Sequence, residues 1–145
     1  MRRYIFIAAL TALASPAFAK THLVEPHMHI VPVGSAPEVA LTLDACMGAA
    51  DMRIINALID NSVPATIFAT RRWLLHNPKV VHLLVGHAEL FEIEDHGADQ
   101  GPAGSGTEKP YGITPAGTAN GVFNEVLGGA QAVQAATGVV PHWYR

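Results

Sequence analysis

A carboxylate, an imidazole and a guanidinium stand where three short apolar runs of this chain end. Asp44 closes Val39–Leu43, His96 follows Leu90–Ile93 by way of Glu94 and Asp95, and Arg145 follows His142-Trp143-Tyr144. A fourth run, Ala65–Ala69, ends on Thr70. Groups of these types suit metal-assisted hydrolysis, in which one side chain deprotonates water, another binds a cation and an arginine orients the base. Each has a plainer use when taken singly: an aspartate shapes a turn, and a histidine is satisfied by its neighbours. Their recurrence at strand ends is what points to a site, because parallel α/β folds assemble their chemistry at the carboxyl ends of strands.

The elements between the runs support that architecture. Asp51–Asp60 places Ile54, Ile55, Leu58 and Ile59 on one helical face, with Asp51 as a natural N-cap. Asn61-Ser62-Val63-Pro64 ends this helix before the second strand. A second helical region runs from Arg71 to about Val85 and is divided at Pro78, which has no amide to donate. Trp73, Leu74, Val81, Leu84 and Val85 read as its core face, with sugar stacking by Trp73 as the alternative. The Gly- and Pro-rich stretch after His96 is a loop of about 20 residues, longer than a compact domain requires and therefore a candidate for function. Asn120–Ala136 resumes helical spacing, Gly138 closes it, and Val139–Tyr144 is expected as a fourth strand. The fold class is α/β, about four parallel strands with flanking helices.

Composition bounds the function classes. Met1-Arg2-Arg3, an apolar stretch to about Leu13 and Ala17-Phe18-Ala19 read as a secretory signal peptide over residues 1–19. The apolar stretch is shorter than a bilayer span, so no stable membrane anchor is expected. Losing Arg2 and Arg3 from nine basic groups against twelve acidic ones takes the formal charge from −3 to −5. No basic patch is left to attract nucleic acid. Cys46 is the single cysteine, which excludes an intramolecular disulfide. It lies two residues after Asp44, where a ligand or nucleophile role is conceivable, but without Cys-rich spacing it reads as a small buried hydrophobe. Residues 20–38 read as an irregular lead-in whose His22, His27 and His29 are a solvated cluster or a weak metal site.

Four local contexts carry a family resemblance over residues 39–145. Thr42-Leu43-Asp44, Pro64-Ala65-Thr66-Ile67-Phe68-Ala69-Thr70, Phe91-Glu92-Ile93-Glu94-Asp95-His96 and Pro141-His142-Trp143-Tyr144-Arg145 resemble, in order, segments of the polysaccharide deacetylase family, the NodB-homology carbohydrate esterases. The resemblance implies a partial (β/α) barrel of the deacetylase type. It implies Asp44 as catalytic base, Arg145 as the residue that orients it, and His96 as ligand to a Zn²⁺-like divalent ion. Two positions depart from the pattern: Ala45 stands where the family has a second, metal-binding aspartate, and Gln100 where it has the second histidine. Asp51 is the nearest carboxylate that could replace the aspartate, and Gln100 would be a neutral ligand.

The substrate so implied is an acetylated glycan, with Trp73 and Tyr111 as candidate contacts. The family's two later motifs, including its general acid, have no counterpart up to Arg145, so the expectation is the N-terminal half of a barrel with little turnover. Its apolar inner face and open sheet edge would favour self-association. The alternatives are a degenerate, non-catalytic glycan-binding remnant and a periplasmic metal binder using His22, His27 and His29. Export itself has a direct check: mass spectrometry of the exported protein should find Lys20 as its first residue, and a retained Met1 terminus would contradict the signal.

Overall fold

The computed structural model describes residues 39–104 and 108–145, apart from the side chain of Tyr111. Its element order is β1 (Thr42–Ala45), α1 (Met52–Asp60), β2 (Ala65–Ala69), α2 (Arg71–His76), α3 (Pro78–Val85), β3 (Phe91–Asp95) and α4 (Ala119–Thr137). The strands form one parallel sheet in the order β1-β2-β3, with helices in the connections. The sheet is open, as the resemblance to a partial (β/α) barrel implies.

Each helix begins where local chemistry dictates. Asp51 caps α1 by accepting from the Arg53 amide, Thr70 caps α2 through the Trp73 amide, and Thr118 caps α4 through Gly121. Pro78 sits in the first turn of α3, where its missing N–H costs nothing. Gly138 ends α4 at φ 80°, a left-handed conformation natural to glycine.

Register divides the sheet into two chemically distinct faces. Leu43 and Ala45 of β1, Ile67 and Ala69 of β2, and Phe91 and Ile93 of β3 join Ile55, Leu58, Trp73, Leu74, Val81, Leu84 and Val133 in the core. Alternation puts Thr42, Asp44, Thr66, Phe68, Glu92 and Glu94 on the opposite face, and the pairings Asp44–Phe68 and Phe68–Glu94 set three of them side by side. The expected apolar inner face is therefore corrected. It carries Phe68 among hydroxyls and carboxylates.

Two strand boundaries also differ from expectation. β1 begins at Thr42 because pairing with β2 starts there, while Val39 is 90% exposed. Asp44 thus lies within the strand rather than beyond it. The segment Val139–Tyr144 is not a fourth strand: it meets β3 at a single parallel bridge between Asp95 and Tyr144. Pro141 has no amide to offer, and the amides of His142 and Trp143 go to the Glu94 carboxylate at 2.8 and 2.7 Å instead of to a ladder. Among the described residues no helix is long and apolar enough to cross a membrane.

α4 lies against the end of β3 by virtue of Gly129. A β-carbon there would overlap Asp95 Oδ1 and come within 2.6 and 2.7 Å of the Gly97 carbonyl carbon and Cα, and main-chain atoms cannot swing aside. Alanine has the better helix propensity by about 1 kcal/mol, yet overpacking of this kind costs about 1–3 kcal/mol or more. Gly129→Ala is expected to lower the urea unfolding midpoint. An unchanged or raised midpoint would contradict this close approach.

Candidate active site

Asp44 and Arg145 meet over the inner face of the sheet. The Arg145 guanidinium donates to Thr42 Oγ1 at 2.7 Å, stands 3.6 Å from Asp44 Oδ1 and lies 5.8 Å from the centre of the Phe68 ring. Three contacts of different kinds fix its plane, and the aromatic one gains from the ring quadrupole. Asp44 stays 38% exposed, open to a water or a ligand.

His96 is the first residue past β3. Its amide donates to Ala69 O at 3.2 Å, and its Nδ1 lies 2.6 Å from the main-chain oxygen of Arg145. That oxygen can only accept, so in the neutral ring Nδ1 carries the proton and Nε2 keeps its lone pair. That lone pair faces Cys46 Sγ at 3.5 Å. Burial pushes the Cys46 thiol above its ordinary value, the Asp44 charge adds to the rise, and a hydrogen bond with Gln100 opposes it.

The loop after His96 is clamped from the helices. Glu125 of α4 accepts from the amides of Asp99 and Gly101 at 2.7 and 3.0 Å, and Arg71 of α2 pairs with Asp99 at 2.7 Å. Gln100, between these clamped residues, adopts φ 62°, and its Oε1 is shut off from solvent without a hydrogen-bond partner. A carbonyl oxygen in that state has lost water without replacement, which costs free energy unless something else binds it.

Asp44, Arg145, His96 and Gln100 thus gather at one end of the sheet. Asp51 does not join them: both its oxygens are held by Arg53 at 3.0 and 2.6 Å, which also pulls its pKa down, and it remains the α1 cap. The substrate contact expected of Trp73 is corrected, because the indole is 5% exposed and packed in the core. Tyr111 lies in a short 3₁₀ turn, Pro110–Gly112, with its side chain outside the described residues, as are His22, His27 and His29.

Cys46 and Glu125 were undervalued in the sequence. The spacing of Cys46 from Asp44 was the available signal; Glu125 had none, since its role depends on how α4 docks. Also unforeseen is the group Glu92, Glu94 and His142, whose ligand atoms all lie within 4.8 Å of one another. Alternation along β3 pairs the two glutamates on one face, but one oxygen of Glu94 is already taken by two amides.

Comparison with known proteins gives this arrangement its context. A family model described as polysaccharide deacetylase matches residues 33–145. The chain belongs to the polysaccharide deacetylase family, hydrolases that act on acetylated carbohydrate and are generally metal-dependent. Among solved structures it is similar to a T48 deacetylase with substrate, at 27% identity and a TM-score of 0.53, over 73% of this chain and 47% of that one. A mutant of BA3943, a CE4 family pseudoenzyme with restored enzymatic activity, matches at 21% identity and 0.53, over 73% of this chain and 35% of the other. Wild-type BA3943 from Bacillus anthracis matches at 19% and 0.50, over 72% and 33%. At those identities the BA3943 likeness shows the fold alone. The chain spans less than half the length of these solved relatives. No curated protein matches it.

The family's metal finds a partial counterpart in this chain. Ala45 has no donor atom and packs against the core. The oriented lone pair of His96 and the orphaned oxygen of Gln100 nevertheless fit a divalent cation held at this end of the sheet.

Asp95, beside His96 in sequence, sets a pH dependence of stability. It is 2% exposed and its carboxyl accepts the Gly97 amide at 2.8 Å. Burial is the main cause of a pKa raised from 3.8 to about 6; the Gly97 bond and the His96 charge oppose it, and the Glu125 and Glu94 charges add to it. The folded chain therefore keeps this proton to higher pH than the unfolded chain does. The associated stability is complete below pH 3.8 and is lost as pH rises to about 6. In chelator-treated buffer, Asp95→Asn should remove that loss and be the more stable protein above pH 6, by on the order of 2 kcal/mol. Parallel stability–pH curves for the two proteins would refute it.

Proposed function

We propose that this chain carries part of the site of a hydrolase that removes acetyl groups from an acylated carbohydrate outside the cytoplasm. The observation that carries the reading is the meeting of Asp44 with Arg145 at 3.6 Å, while the Arg145 main-chain oxygen holds His96 at 2.6 Å. Asp44 accepts a proton from water as the water oxygen bonds to the acyl carbon. The bond from that carbon to the sugar nitrogen or oxygen breaks, the sugar takes up a proton, and acetate leaves. Arg145 positions Asp44 for the first transfer, and His96 and Gln100 would hold the divalent cation. When bound, that ion supplies Lewis acidity toward the acyl carbonyl.

A second reading, glycan binding without turnover, is favoured by the missing donor at Ala45 and the diversion of Asp51 to Arg53. Association of copies belongs to either reading, since Val139, Val140 and Trp143 expose large apolar surface beside the sheet edge. Acetate release from acetylated oligosaccharides tests the first reading. Asp44→Asn should lower chelator-sensitive release by about 10²–10⁴-fold with an unchanged circular dichroism spectrum, and size-exclusion chromatography of the same samples reads the association. Saturable oligosaccharide binding without acetate would favour the second reading, and neither binding nor release would defeat both.

A further inference from the structure

We infer that Cys46 is a cation ligand in this chain, a thiolate that supplies the anionic donor Ala45 lacks and gives the cation a sulfur ligand. The inference rests on the reading that His96 anchors a cation. It does not rest on turnover.

Three observations converge on it. Sγ of Cys46 lies 3.5 Å from Nε2 of His96, so the two donor atoms already face each other. The other imidazole nitrogen is tied to the Arg145 main-chain oxygen at 2.6 Å, the arrangement that fixes a histidine's tautomer and aims its free nitrogen at a metal. The Gln100 side chain lies close enough to act on the Cys46 thiol, and its Oε1 is buried without a partner. A sulfur and a nitrogen donor from two separate segments therefore face each other, with the Gln100 side chain beside the thiol. The Cys46 main chain is itself pinned, its carbonyl accepting from the buried Thr70 hydroxyl at 2.5 Å.

The chemistry of the set decides which cation it suits. Thiolate and imidazole favour borderline and soft cations, whereas Mg²⁺ requires oxygen ligands in octahedral array. On binding, the S–H bond breaks, its proton passes to water, and a sulfur lone pair forms the bond to the cation.

Because Cys46 is the only cysteine, a thiolate–metal signal can arise nowhere else in the chain. The full chain is titrated with Co²⁺ alone and followed in the near ultraviolet, where sulfur-to-cobalt charge transfer absorbs. The expected result is a saturable band that is absent in Cys46→Ser, with Co²⁺ affinity reduced at least about tenfold in that variant and its circular dichroism unchanged. Gln100→His should tighten Co²⁺ binding while keeping the band, and Zn²⁺ but not Mg²⁺ should slow alkylation of Cys46 by iodoacetamide. Co²⁺ binding without the band, affinity equal in Cys46→Ser, no binding at millimolar Co²⁺, or rapid alkylation that Zn²⁺ leaves unaffected would each overturn it. A band in a chain that releases no acetate would defeat the deacetylase reading and leave the ligand standing.

Discussion

Two main-chain hydrogen bonds at Asp95 hold the candidate site together. The Asp95 amide donates to Trp143 O and its carbonyl accepts from the Arg145 amide, each at 3.1 Å. They are all that remains of a ladder between β3 and the segment after α4, and they deliver Arg145 to the inner face. From that point the guanidinium reaches Thr42, Asp44 and Phe68, and the Arg145 main-chain oxygen meets His96. Take away the Asp95 bridge and the base loses its orienting arginine while the histidine loses the contact that fixes its tautomer.

The same residue explains why α4 must lie so close. The Asp95 side chain turns toward the helices, binds the Gly97 amide and lies against the bare α-carbon of Gly129. That contact brings Glu125 within reach of the loop amides at 99 and 101, so the packing of α4 fixes the loop that carries Gln100. A buried carboxyl that prefers its proton is a stability cost at neutral pH. Here that cost accompanies a hinge joining β3, the loop, α4 and the final segment.

Much of the architecture was legible because it follows local rules. Asp51, Thr70 and Pro78 start helices, Gly138 stops one, and the apolar run Ala65–Ala69 forms the central strand residue for residue. What the sequence hid was decided by pairing partners. Only register could show that β1 begins at Thr42, and only the competing carboxylate of Glu94 explains why Val139–Tyr144 makes one bridge rather than a strand. Trp73 shows the same limit: an aromatic among aliphatics at helical spacing is a core residue or a platform according to what covers it, and here the core covers it. The ends of apolar runs pointed to Asp44, His96 and Arg145, although Asp44 lies inside β1 and Arg145 follows no strand, whereas the closure of the Gln100 loop by Glu125 depends on a tertiary contact with no local signature.

The alternation of β1 finally accounts for the position of Cys46. Asp44 points to the open face and Ala45 to the core, where its methyl packs against buried neighbours and a charged group would meet apolar surroundings. The next residue turns back toward the side of Asp44, which is why the Asp44 charge acts on the thiol and why Sγ, rather than any atom of residue 45, faces the imidazole. A donor lost at one position can therefore be recovered one residue later without moving the strand, because the chain leaves the ladder after Ala45 and Thr70 holds the Cys46 carbonyl from β2's end. The substitution changes the character of the donor from hard oxygen to soft sulfur. It leaves the base, its arginine and the histidine where the sheet had already put them.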